Sequence, residues 1–156
     1  GQGVQIFTAS IDDRFGVGKV TSRMGLSRNA DTFTAQTQFN VALVGTDTAC
    51  LLVDEAQFLT GEQVKQLHRM AAMDSVDVIC YGIRTDFMGN AFEGAAALGV
   101  LADKMMELET KCSCGQDASM NVRHDAHGVR VREGEQILIG SDDSYHQRCP
   151  ACFYVA

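Results

Sequence analysis

Tryptophan is absent from the 156 residues, and Pro150 is the single proline. That composition excludes a proline-rich linker or a collagen-like rod. No run approaches the ~18 consecutive apolar residues of a membrane span, and no basic-then-apolar start resembles a signal peptide. A membrane partner is therefore not expected. Cations are scarce: 13 Lys and Arg stand against 20 Asp and Glu, for a net charge of −7. That balance argues against a general nucleic-acid binder, which needs a basic face. It leaves room for a small anionic ligand gripped by a few local cations. Repeats and low-complexity runs are missing too. Hydrophobic residues make up 46% and charged residues 21%, which suits one soluble globular domain with a real core, plus a small appendage.

What is present reads as an α/β pattern. "VQIFTA" (residues 4–9) predicts a first strand, and the polar, Gly-punctuated stretch that follows predicts a long loop with little regular structure. A short helix is expected around Phe39 to Val44. Cys50 to Val53 predicts a strand without polar alternation, as for a strand covered on both faces. Thr60 to Met73 predicts a helix, with Thr60 and Gln63 at capping-box spacing and Val64, Leu67 and Ala71 on one face. Val76 to Tyr81 predicts a third strand, Glu93 to Leu101 a small-residue helix, and Lys104 to Glu109 a further strand. Strands alternating with helices imply a mainly parallel sheet. From Cys112 onward, short runs such as "ILIG" alternate with polar turns, which predicts a small β-rich appendage.

Chemistry gathers at three places. "ACLLVDEAQF" (49–58) runs apolar residues straight into Asp54 and Glu55, and ligands of open parallel sheets bind at the carboxyl ends of strands. Adjacent residues of a strand point to opposite faces, so the two carboxylates would have different tasks. Phosphoryl transfer supplies them: one carboxylate holds Mg²⁺ and the other takes a proton from an attacking hydroxyl. An acidic helix N-terminus favoured by the macrodipole is the plainer alternative. The second place is a pair of cysteine turns, Cys112-Ser-Cys114 and Cys149-Pro-Ala-Cys152. Four thiolates from two such turns can close a tetrahedral, structural zinc site; disulfides would need an oxidising compartment, and free thiols remain the other option. Cys50 and Cys80, inside apolar runs, read as small buried hydrophobes. The third place is aromatic. Phe58, Phe87 and Phe92 follow strands, where they could sandwich a nucleobase or pack loops onto the core. Tyr145 is equally open, and the histidines show no ligand spacing.

A phosphate cradle is not legible. "FGVGKVT" (15–21) follows a strand and contains Gly-Lys, but a G-x-x-x-x-G-K-[ST] loop needs glycine where Asp13 stands and a hydroxyl where Val20 stands.

In order and over essentially the whole chain, "SIDDRFG", "LLVDEAQFL", "CYGIRTDF", "CSCG" and "EGEQILIGSDDSY" before "CPAC" resemble the bacterial type of thymidine kinase. This is the zinc-containing class shared with the cytosolic vertebrate enzyme. The resemblance implies a P-loop-NTPase-like α/β core over residues 1–110 and a zinc-stapled lasso domain over 111–156. It implies transfer of the ATP γ-phosphoryl group to the 5′-hydroxyl of thymidine by a cytoplasmic homotetramer. Glu55 then resembles the catalytic base, Asp54 the residue that holds Mg²⁺, and the backbone of Asp54, Glu55, Ala56 and Gln57 the border of ATP. Asp12 and Arg14 match a pair near the reacting 5′ end, where a guanidinium could stabilise transferring charge. Phe58, Phe87 and Phe92 would surround thymine. The lasso backbone at Ile137, Leu138, Ile139 and Gly140 would hydrogen-bond the base edge, with Tyr145 beside sugar or base. Cys112, Cys114, Cys149 and Cys152 would hold the zinc. Gly140-Ser141 departs from the two glycines usual there.

The chain opens at Gly1 without methionine, and the family's first strand and phosphate loop are expected upstream. The 156 residues are accordingly expected to be N-terminally incomplete and inactive as they stand. The rival readings are a zinc-stabilised nucleoside-binding or regulatory module without catalysis and, more distantly, a P-loop ATPase fragment with another substrate.

Overall fold

The computed structural model describes residues 3–11, 16–22, 24–138 and 145–155. Its contacts divide the chain into two compact units: Gly1–Arg84 with Glu93–Asp103, and Thr85–Phe92 with Lys104–Ala156.

The first unit is built on a four-stranded sheet. Its strands are β1 (Gly3–Ala9), β4 (Asp31–Phe33), β5 (Thr48–Val53) and β6 (Asp77–Cys80), in the order β4-β1-β5-β6. Every pairing is parallel, so the strand-helix alternation of the sequence is realised as a mixed α/β fold. Register puts Ile6 beside Leu52 and Phe7 beside Val53. Phe7, Ala9, Leu51 and Val53 therefore share one face and are buried in the core. Helix α2 (Gly61–Met73) covers that core with Val64, Leu67 and Met70. Helices α1 (Val41–Val44) and α3 (Glu93–Leu101) add Val44, Ala97, Leu98 and Leu101. Phe39 meets Phe7 edge to face with ring centroids 5.3 Å apart, an arrangement that adds to area burial.

The expected capping box exists. Thr60 Oγ1 accepts from the Gln63 N–H at 3.2 Å, and Gln63 Oε1 accepts from the Thr60 N–H at 3.0 Å. Gln63 is buried, and its Nε2 donates to the carbonyls of Thr34 and Thr37 at 2.7 and 2.9 Å. One side chain thus starts the helix and anchors the loop after β4.

Three expectations need correction. The stretch read as an unstructured loop holds an antiparallel hairpin, β2 (Lys19–Thr21) with β3 (Ser27–Asn29), and then β4. Cover on the sheet's second face is only partial among the described residues: Val4 is 60% and Ile79 44% exposed, Cys50 and Leu52 of β5 are half-buried, and Thr8 is buried. The strand expected at Lys104 to Glu109 does not form. Met105, Met106 and Leu108 are exposed, and no described segment pairs with them.

In the second unit, β7 (Met120–His124) lies between β8 (Arg130–Val131) and β9 (Tyr145–Arg148), both antiparallel to it. Helix α4 (Pro150–Val155) closes the described chain. Val122 and Phe153 are buried here. The described part of "ILIG", residues 137–138, is not a strand.

Candidate functional site

At the end of β5, pairing carries one residue past the strand: the Asp54 N–H donates to the Phe7 carbonyl at 2.8 Å. Then the chain turns. Glu55 adopts φ 53° and ψ 37°, a left-handed conformation rare for a residue with a side chain. Such a backbone costs on the order of 1–3 kcal/mol and persists only where its surroundings hold it, as they commonly do at functional sites. Several contacts hold it. The Ala56 N–H donates to the Tyr81 carbonyl at 2.8 Å. The side chain of Gln57, itself buried, donates to Glu55 Oε2 at 2.5 Å and accepts from the Ile83 N–H at 3.3 Å. A single 3-10 turn, Ala56–Phe58, follows. Against it lies the start of α3, where Gly94 approaches so closely that a Cβ would fall 2.5 Å from the Ala56 carbonyl oxygen.

Asp54 and Glu55 thus both lie just past the end of β5, Asp54 still bonded to β1 and Glu55 on the left-handed turn. Asp54 borders a groove of about 400 Å³ on the partly open face of the sheet, together with Ile6, Leu52 and Tyr81. Ser22 and Arg28 border it from the β2–β3 hairpin. That volume lies within the range of small-molecule clefts. Asp54 offers the hard oxygen donor that Mg²⁺ takes beside its own waters and phosphate oxygens. Phe58 is half-buried and packs against the first unit's core. Cys80, on β6, has its thiol pushed up to about 11 by burial, as expected for a small core residue, though it and Cys50 are only partly buried.

In the second unit the four expected ligand cysteines converge. The sulfurs of Cys112, Cys114, Cys149 and Cys152 all lie within 4.8 Å of one another. Cys114 and Cys149 are 3.6 Å apart. That is close to the ~3.8 Å edge of a tetrahedron with zinc–sulfur bonds of about 2.3 Å, and far beyond a disulfide bond of about 2.05 Å. All four thiols are free. Backbone N–H groups of Cys114 and Cys149 aimed at the Cys112 sulfur pull its pKa down to about 6. Hydrogen bonds with Cys114, Cys149 and Cys112 push Cys152 up to about 12. The Cys152 N–H also donates to the Cys149 sulfur at 3.4 Å. Converging sulfurs with backbone donors turned towards them form a cluster that can hold a metal ion, and an all-thiolate donor set suits zinc.

Phe87 and Phe92 sit in the second unit and are buried. Phe87 lies within, and Phe92 just after, a loop closed by the antiparallel bridge Thr85↔Ala91. Asp86, also buried, ties the loop: its Oδ1 accepts from the N–H groups of Met88 and Asn90 at 2.8 and 2.9 Å. Arg123 of β7 lies over the Phe87 ring, 3.8 Å from its centroid. Ile137 and Leu138 are exposed, and the Tyr145 hydroxyl donates to the Leu138 carbonyl at 2.9 Å. Asp12, Arg14, Ile139 and Gly140 lie outside the described residues. Asp86, Arg123 and Gln136 were missed by sequence reasoning. Nothing but the burial of an aspartate and an arginine marks them, and burial is invisible in a polar loop.

The sequence model of one family, described as "TK: Thymidine kinase", matches residues 1–153. A protein of Albidiferax ferrireducens named thymidine kinase is 50% identical over 155 residues, covering 99% of this chain and 79% of that protein. One of Chromobacterium violaceum with the same name is 49% identical over 97% of this chain and 82% of its own length. One of Vibrio cholerae is 48% identical over 92% and 77%.

Proposed function

Because the chain belongs to the thymidine kinase family, we propose that it transfers the γ-phosphoryl group of ATP to the 5′-hydroxyl of thymidine, with Glu55 as the general base. The observation that carries this assignment is the left-handed Glu55 at the carboxyl end of β5, held in place by Gln57. A carboxylate fixed on a strained turn is positioned rather than mobile, which proton abstraction in the transition state requires. Asp54, turned to the groove, is the residue that would hold Mg²⁺, and the ion would neutralise phosphate charge there. The backbone of residues 54–57 borders ATP in this reading. Asp12 and Arg14 attend the reacting 5′ end by resemblance.

Phe58, Phe87 and Phe92 are assigned to thymine, the backbone of residues 137–140 to the base edge, and Tyr145 to the sugar or base. The bond from Tyr145 to Leu138 supports its membership of that group. Zinc on the four cysteines is structural, since a closed four-thiolate shell leaves no position for substrate. A cytoplasmic homotetramer is the assembly the family resemblance favours. No helix among the described residues is long and apolar enough to cross a membrane, and the free cysteines fit a reducing compartment.

The test is formation of thymidine monophosphate by the full-length chain with Mg²⁺ and ATP. Thymidine binding without turnover would instead favour the zinc-stabilised binding module. For the base pocket, Phe92→Ala should weaken thymidine about tenfold or more, by analogy with base–aromatic stacking, and leave ATP affinity alone. Unchanged thymidine affinity would return Phe92 to core packing.

A further inference from the structure

Residues 133–138 belong to no strand or helix. A strand is held by its ladder, but this strap has none, so its place depends on side chains that reach it from elsewhere in the second unit. Arg123, 6% exposed, donates from Nη1 to the Glu135 carbonyl at 2.9 Å. Gln136 donates from Nε2 to Asp86 Oδ2 at 3.0 Å. Gly134 has φ 132°, and a Cβ on it would meet Arg123 Nη2 at 2.9 Å. Glycine suits that positive φ, and a larger residue would have to displace the Arg123 guanidinium. Beyond these, the Tyr145 hydroxyl holds the Leu138 carbonyl.

The same two buried residues also organise the Phe87 loop. Asp86 spends Oδ1 on the Met88 and Asn90 N–H groups and Oδ2 on Gln136. Arg123 spends one guanidinium face on the Phe87 ring and one N–H on the strap. Each is thus a two-ended link between the aromatic loop and the strap. The links stop just short of the exposed residues Ile137 and Leu138. The N–H groups of both, and the Ile137 carbonyl, make no hydrogen bond among the described residues.

We infer that Asp86 and Arg123 are positioning residues that fix the 134–138 strap against the Phe87 loop, so that its peptide groups meet the thymine edge in one register. The inference rests on the proposed thymidine site. A strap held this way reads the base rather than the phosphates, so disturbing it should act on thymidine and spare ATP. Misplaced peptide groups bind the base weakly because a hydrogen bond fails steeply with angle and distance.

Gln136→Glu in the full-length chain tests this by setting a carboxylate against the Asp86 carboxylate. The expected result is a thymidine KM raised about tenfold or more, with the KM for ATP, the zinc content and the melting temperature near wild type. The pair Asp86→Asn/Gln136→Glu restores one donor facing one acceptor and should return the thymidine KM to within about threefold of wild type. Should Gln136→Glu fold poorly, Gln136→Leu removes the bond without adding charge and should raise the same KM. A thymidine KM unmoved by Gln136→Glu, equal rises for both substrates, or no recovery in the pair would overturn the inference. If the wild type binds thymidine without phosphorylating it, the kinase reading fails separately, and the same variants are then read by the dissociation constant of thymidine.

Discussion

Gly94→Ala is the sharpest structural perturbation of the Glu55 turn. The added methyl would lie 2.5 Å from the Ala56 carbonyl oxygen, 2.7 Å from that of Leu59 and 2.9 Å from that of Gln57. All three are backbone atoms and cannot swing aside. Ordinary contact needs roughly 3.5 Å, so α3 must retreat from the turn by about an ångström. Overpacking of this kind costs about 1–3 kcal/mol, against a helix-propensity gain of up to about 1 kcal/mol for removing a glycine. A net loss of about 1–2 kcal/mol lowers the melting temperature by about 5–10 °C for a unit near 100 residues. Thymidine phosphorylation should fall with it, because the turn that carries Glu55 is displaced. The control lies in the same helix: Gly99 has nothing within 4 Å of its would-be Cβ. Gly99→Ala should therefore leave melting unchanged or raise it slightly. A Gly94→Ala variant that melts with or above wild type would refute the close packing assigned here.

Metal analysis of the purified chain should find about one zinc per chain. Cys149→Ser should lose most of it and increase backbone hydrogen exchange across residues 104–155, leaving the exchange of β1, β5 and β6 as in wild type. Disulfides among the four cysteines, or zinc retained at full stoichiometry by the variant, would contradict the site. Alkaline stability should report Cys80. Its thiol is held at about 11 in the folded chain against a usual 9.0. Above pH 9 the unfolded chain releases this proton first, and stability drains away as pH rises through about 11. Urea unfolding at pH 8 and pH 10.5 should therefore show a smaller alkaline loss in Cys80→Ala than in wild type, and equal losses would show that the thiol is not desolvated.

The elements legible in the sequence are those whose local signals agree with their surroundings. Helix α2 is announced by Thr60, Gln63 and its apolar face, and the structure uses the cap, Val64 and Leu67, with Met70 rather than the expected Ala71 completing the buried face. The cysteine pairs are equally plain, because two turns that each bring two thiols together are what a four-thiolate metal site needs from a sequence. Strand β4 is hidden: Asp31-Thr32-Phe33 is too short to show a period, and it becomes a strand only because β1 offers an edge. The reverse failure occurs at residues 104–109. Met106 to Glu109 alternate apolar and charged like a strand, yet no described partner supplies a ladder, and propensity without a partner makes no strand. At the site, the carboxylate pair was visible as a break in an apolar run. The left-handed Glu55 and the Gln57 bond that steadies it were not, since a single dihedral leaves no trace in residue type.

The most direct measurement compares Glu55→Gln with wild type in the full-length chain, by single-turnover phosphoryl transfer together with the dissociation constants of thymidine and ATP. Gln keeps the shape and can accept a hydrogen bond, but it cannot take the proton leaving the 5′-hydroxyl. Positioned general-base assistance contributes ~10²–10⁴ in rate. The account predicts a loss of that size with both dissociation constants within about threefold of wild type. A Glu55→Gln variant that transfers phosphate at nearly the wild-type rate would show that the carboxylate only shapes the turn, and would contradict the assignment of Glu55 as the base.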